Sequence, residues 1–409
     1  MPTARRTFVR PNVKPALALA AALALAPMPL AASAPEEAPE KAPPAANPAR
    51  QITGYPALYG IAGAKERRGL PLADAATRTA AATRYCAAID YAARTDSDTL
   101  LVWRNGQLEL AHDFAPHTAN ARSWSASMAK TLTAVALGIA IEEGAIASVD
   151  TPVSEVLTEW DDAAHRAITY RHLLEMTSGL EHPAPGSAGA SALVGGEDAV
   201  GAALVLPVVN APGSTFDYHT VNVTLTIEAI HRASGEPFAR FVSTRLWHPL
   251  GAADALIAGD ASGHATPSIY ARARDWMRLG LLIKTRGMWH GKRLVPSRWI
   301  DAMTRPSPRN ANYGWLTWLG SPEGKGRSYG PYVAFQARHS APFVARDMVY
   351  LDGFGGQRVY ISREADTVIV RTGGMYVNWD DAALPNAVLG SGPTCPENTA
   401  AQNKDISNL

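Results

Sequence analysis

The sequence predicts an α+β fold. This is an α/β sandwich whose antiparallel sheet is built from both ends of the chain and flanked by helices, with a mostly helical domain inserted between. Three observations carry this. Strand signals occur near 100–111 and return at 348–371, the stretch between them is dominated by helical spacing, and no regular β-α-β alternation appears, which argues against a doubly wound parallel sheet. The 409 residues are 47% hydrophobic and 18% charged, enough apolar material for a substantial core. A net charge of +1 offers no basic face for nucleic acid.

Residues 1–34 read as a signal peptide. Arg5, Arg6, Arg10 and Lys14 give a positive start, Pro15 to Ala26 is an apolar run too short for a good membrane span, and Ala32-Ser33-Ala34 resembles a cleavage site. Arg5-Arg6-Thr7-Phe8-Val9-Arg10 fits a twin-arginine signal as well as it fits an ordinary secretory leader. Either route predicts a periplasmic or secreted protein with no stable membrane span after signal removal. Residues 35–51, rich in Pro, Ala and Glu, read as a disordered linker.

The folded domain is expected over 52–395, with a sheet region at 52–125 and 346–395, a helical region at 126–345, and a tail at 396–409. Ala73 to Ala93 has helical composition. Leu100 to Trp103 and Leu108 to Ala111 flank Asn105-Gly106, a hairpin signal. From Ser127 onward Leu132, Val135, Ala136, Ile139 and Ala140 recur at helical spacing, and Gly144 marks the stop. The chain then reads as mostly helical to about Lys284, with Pro/Gly-rich connections at 183–190 and 211–214. Residues 305–345 have little period and read as a long loop, a common form of lid. Strands are expected at Met348–Leu351, Arg358–Ile361 and Thr367–Arg371, and a last helical stretch around Asp380–Val388.

The sharp chemical motif is Ser127-Met128-Ala129-Lys130, where a loop enters a helix. Three residues make one helical turn, so the two side chains meet on one face. A serine hydroxyl attacks only once a base takes its proton, and a lysine serves only when neutral, which burial or a positive helix N-terminus promotes. Lys130 is the only lysine with a serine three residues before it, and it lies in an apolar helix where an unpaired ammonium is costly. The bland alternative is a capping serine beside a lysine that reaches solvent. Other candidates are weaker. No G-x-S-x-G elbow occurs, and His172 with Glu175 lacks a third ligand and reads as a surface or capping pair. No metal or cofactor is called for. Trp315, Trp318, Tyr329, Tyr332 and Phe335 either line a pocket in the lid or are scattered surface aromatics.

A longer run of motifs resembles the β-lactamase-related serine hydrolases. Ser123 to Thr131, Gly138 to Gly144 and Ser148 to Val153 are followed by Ile168 to Leu174, Thr177-Ser178-Gly179-Leu180, Pro212 to Tyr218, Leu246 to Gly251, Ala273 to Trp276 and Gly353 to Gln357, in the family's order over roughly residues 95 to 375. The chain looks most like the branch holding 6-aminohexanoate-dimer hydrolase and the β-lactamase-like esterases. That resemblance implies an ester or amide hydrolase acting on a small-molecule substrate, with Ser127 as nucleophile, Lys130 and Tyr218 as proton carriers, and Tyr218 sharing its titration with Lys130 as a phenolate. Thr220 or Asn222 stands where the family often has a third polar residue. The family's Lys/His-Thr-Gly motif falls on Leu351-Asp352-Gly353, so the usual cation is missing and Asp352 is expected to repel anions and attract amines. Phe354 N–H is expected to pair with Ser127 N–H as an oxyanion hole, with Gly353 and Gly355 lining the substrate site. D-amino-acid peptidase, β-lactamase and a stalled peptidoglycan or β-lactam receptor are the alternatives. In the implied fold the first and last helices lie side by side. That would bring Cys86 and Cys395, the only two cysteines, together as a disulfide in an oxidising compartment. Oligomeric state is left open.

Overall fold

The computed structural model describes residues 55–66, 69–193, 196–320, 326–333 and 335–390. The expected leader, linker and tail, and Cys395 with them, lie outside the described residues.

Twelve strands run along the described chain: β1 (Ala57–Ile61), β2 (Ser97–Arg104), β3 (Gln107–Asp113), β4 (Arg122–Trp124), β5 (Ala255–Gly259), β6 (Ala265–Arg272), β7 (Met288–Trp289), β8 (Lys292–Arg293), β9 (Trp318–Leu319), β10 (Val349–Gly353), β11 (Gln357–Ser362) and β12 (Thr367–Gly373). The main sheet has the order β3-β2-β12-β11-β10-β9. Its centre is the antiparallel pairing of β2 with β12, in which Val102 faces Ile369 and Leu101 faces Val370. An N-terminal hairpin and a C-terminal meander thus make one sheet, as the two clusters of strand signals predict. The first hairpin turns on Asn105 and Gly106, both at positive φ (51° and 81°), the conformation that an Asn-Gly pair adopts most readily.

Every residue of β11 is buried, and all but the last of β12, so both faces of the sheet are covered. The helix Ala273–Lys284 packs on β11 and β12. A Cβ on its Gly280 would stand 2.7 Å from Val368 Cγ1 and 2.8 Å from Val359 Cγ1, so glycine sets how closely helix and sheet approach. The helix Cys86–Arg94 packs on β2 and against the final helix Ala383–Leu389. First and last helical segments are therefore neighbours. Cys86 is buried and is not a free thiol.

The middle of the chain is mostly helical, as expected, but it also holds two strands that the sequence reading did not place: β5 and β6 form a second antiparallel sheet of order β1-β5-β6-β4. Leu256, Ile257, Ile269 and Tyr270 carry this pairing. Short apolar runs of this kind suit a buried strand or a buried helix equally, and only the partner strands decide between them. The sheet holds the segment before Ser127, because Trp124 on β4 pairs with Tyr270 on β6 and Ser125 N–H donates to Ile269 O at 2.8 Å.

Candidate active site

Ser127 stands at the start of the helix Met128–Glu142, a helix whose first thirteen residues are all buried. It makes no side-chain capping bond, so its hydroxyl is not spent on the helix end. Ala126, directly before it, is buried at φ 46°, a left-handed conformation that costs a β-carbon residue energy. The chain turns sharply there and presents Ser127 to the cleft. Lys130 is only 3% exposed, and its Nζ lies 2.7 Å from Ser127 Oγ. Both halves of the bland alternative, the capping serine and the solvent-reaching lysine, are therefore absent. Burial pulls the Lys130 ammonium down to about 8, against the pull of the Asp352 charge in the other direction.

Tyr218 precedes the helix Val221–Ser234, and its N–H donates to Tyr329 O at 2.8 Å. The ring is held by Trp318 (5.4 Å between centroids), Tyr329 (5.2 Å) and Tyr313 (5.9 Å), while Lys130 Nζ lies 5.2 Å from its centroid. Ser127 is close enough to the Tyr218 hydroxyl to lower it, against the larger effect of burial. The expectation of a phenolate is corrected. Burial, and then the Asp352 charge, push the phenol well above its usual value, which favours the neutral Tyr218 hydroxyl over the phenolate.

Asp352 also needs correction. It is buried at the end of β10, where Arg327 Nη1 donates to Oδ2 at 2.7 Å and Arg358 Nη1 meets Oδ1 at 2.5 Å. Asp381 closes the ring, accepting from Arg327 Nε at 2.8 Å and from Arg358 Nη2 at 2.9 Å. Tyr329 O–H donates a further bond to Asp352 at 3.3 Å. Burial alone would raise the Asp352 carboxyl, but the two guanidiniums overcome it and hold it at about 2. Two cations and two anions balance within the ring, so Asp352 is a paired carboxylate and not a free one, although its charge is still felt at Lys130 and Tyr218. The sequence reading missed Arg327, Arg358 and Asp381. Arg358 did leave a trace, being a charge inside an apolar strand, which must be paired. Arg327, in the loop, left none.

The cleft above Ser127 has a volume of about 370 Å³ and is lined by Thr220, Gly353, Phe354 and Gly355 among others. A Cβ on Gly353 would lie 2.3 Å from Ser125 O, so the end of β10 runs against the turn before Ser127 and carries Phe354 to the edge of the cleft. Asn222 is elsewhere. It is buried in its helix, with Nδ2 donating to Met176 Sδ at 3.4 Å and His219 O at 3.1 Å, so it serves packing and not substrate. Of the loop aromatics, Tyr329 and Phe335 line the cleft, Trp315 and Trp318 are buried in its frame, and Tyr332 is exposed. His172 closes a capping box with Thr169.

His182 and His219 stack at 4.1 Å between centroids with planes 12° apart, and His182 Nδ1 meets Asp217 Oδ2 at 2.9 Å. Ligand-type atoms of these three residues lie within 4.8 Å of one another. A metal sits in the plane of each imidazole that binds it, and near-parallel stacked rings share no such point. The group fits a hydrogen-bonded His182–Asp217 pair with a stacked neighbour, and burial keeps His219 uncharged, its imidazole pushed down to about 3.

The model of the family described as Beta-lactamase matches residues 79–386. A 6-aminohexanoate-dimer hydrolase of Paenarthrobacter ureafaciens is 24% identical over 294 residues, 68% of this chain and 72% of that protein. Among solved structures, a family VIII carboxylesterase aligns with TM-score 0.58 at 16% identity, over 79% of this chain and 99% of the other. A penicillin-binding protein homologue from Caulobacter crescentus aligns with TM-score 0.56 at 15% identity, over 79% and 98%. At these identities the structural likenesses show a shared fold.

Proposed function

The chain belongs to the β-lactamase family, and from that premise we propose that it is a serine hydrolase that cleaves ester or amide bonds through an acyl-enzyme on Ser127. The observation that carries this is the buried Lys130 Nζ, 2.7 Å from Ser127 Oγ with its ammonium weakened to about 8. At neutral pH roughly one molecule in ten then holds the neutral amine. That amine takes the Ser127 proton as Oγ attacks the substrate carbonyl. The N–H groups of Ser127 and Phe354 receive the oxyanion. The Tyr218 phenol passes its proton to the leaving alcohol or amine and regains one from the Lys130 ammonium. Water then attacks the acyl group and gives a proton to the Lys130 amine, which passes it to Ser127 Oγ as the acyl bond breaks and the acid leaves.

Ser127→Ala tests the assignment: turnover of p-nitrophenyl acetate should vanish while the circular dichroism spectrum is kept. Retained activity would end this reading. Steady turnover against a single stoichiometric burst separates an enzyme from a stalled receptor, and nitrocefin beside short esters and linear amides separates a β-lactamase or peptidase from an esterase. Export to the periplasm or medium is part of the proposal, and fractionation of cells that express the full chain tests it.

A further inference from the structure

The walls of the cleft carry almost no usable charge. Of the ionisable side chains that line it, Asp352 and Arg358 are paired with each other within the buried ring, and His182 is hydrogen-bonded to Asp217. Among the described residues the one cation left at the floor is Lys130, which is taken up with Ser127. The rest of the lining is largely Pro, Ala, Leu, Val and aromatic. Around the mouth, five large apolar side chains from three separate segments stand between 41% and 51% exposed: Tyr332 and Phe335, Phe354, and Met375 with Val377. They are neighbours. The Phe335 and Phe354 rings lie 6.4 Å apart, and Met375 Cα comes within 2.8 Å of where a Gly355 Cβ would be. A soluble domain rarely leaves so much apolar surface grouped at one opening unless something covers it.

We propose that this cleft selects substrates whose group beside the scissile carbonyl is uncharged and apolar, of medium length, seated against Phe335, Phe354 and Val377. This rests on the serine-hydrolase reading and narrows it. It also separates this chain from the chemistry in its relative's name, because a 6-aminohexanoyl unit carries an ammonium for which the described walls hold no free carboxylate. An ammonium or carboxylate entering here loses hydration with nothing opposite to replace it. Each methylene that enters gains, about threefold to fourfold per group until the cleft is filled.

Three p-nitrophenyl esters of matched length read this directly: hexanoate, 6-aminohexanoate and the adipate half-ester. The hexanoate should exceed both charged esters in kcat/KM by about tenfold or more, and should exceed the acetate by a similar factor. Phe335→Ser and, on a different segment, Val377→Ser should each lower the hexanoate-to-acetate ratio severalfold, so the test survives if one variant folds poorly. Equal or faster turnover of the amino ester would overturn the inference, as would a ratio that neither variant moves. Labelling by a small fluorophosphonate keeps the two levels apart. If Ser127 is labelled and the esters show no chain-length preference, only this inference falls. If Ser127 is not labelled and no ester is turned over, the hydrolase reading falls as well.

Discussion

Lys130 holds its place at a cost: an ammonium with 3% exposure in an apolar helix has little to favour it except the Ser127 hydroxyl and the Asp352 field. Because the base must be neutral, kcat/KM for a neutral ester should rise with pH through about 8 and then level, and a profile flat from pH 6 to 9 would exclude Lys130 as the base. Lys130→Ala and Tyr218→Phe should each cost about a hundredfold or more in kcat. A near wild-type Tyr218→Phe would make that ring structural. Asp352 works on the same lysine from a distance. Its charge raises the Lys130 ammonium, so Asp352→Asn should move the rising limb toward lower pH in whatever activity remains. The same change leaves Arg327 and Arg358 with one carboxylate between them, and breaking a buried pair in this way typically costs about 3–5 kcal/mol. Asp352 is depressed in the folded state, so its stabilisation is fully present above the unfolded carboxyl value of about 3.9 and is lost as pH falls toward about 2. Urea midpoints across that window check the sign.

At the scale of elements, the site depends on one strand end. Gly353 closes β10 against Ser125 O with no room for a Cβ, and the next residue carries the N–H proposed for the oxyanion. Gly353→Ala must push that strand end away from the nucleophile turn. We expect kcat to fall by about a hundredfold or more, the scale of losing one oxyanion donor, with the melting temperature little changed. A variant that keeps full kcat would place the oxyanion elsewhere. Gly280 performs the equivalent service for packing. Its substitution by Val should cost about 1–3 kcal/mol through overpacking against Val359 and Val368, with kcat/KM of the folded fraction unchanged.

Across the whole molecule, the first and last helical segments lie together, and Cys86 at the start of one of them is not a free thiol. The expected bridge to Cys395 would close most of the domain into one loop, for which chain-entropy models give about 4–5 kcal/mol less any strain. Non-reducing mass mapping should find the Cys86–Cys395 peptide pair, and reduction should lower the melting temperature. Two unlinked thiols in the exported protein would remove this element of the design.

Sequence alone determined what depends on near neighbours along the chain. Ser127 and Lys130 are one helical turn apart, Asn105-Gly106 specifies its own hairpin, and the apolar strands at both ends had to find each other to bury their faces. It also supplied the order of family motifs that singled out Tyr218. The tertiary structure decided what depends on partners far away in sequence. Asp352 is paired with Arg327, 25 residues before it, and with Arg358 across a hairpin, and of that ring only Arg358, a charge inside an apolar strand, left a trace in the order of residues. Asn222, next to the pocket-lining Val221, turns into the core because a helix rotates each successive side chain by about 100°. β5 and β6 became strands because β1 and β4 were there to pair with them. Electrostatics and sheet pairing are sums over distant neighbours, so only the folded chain could complete them.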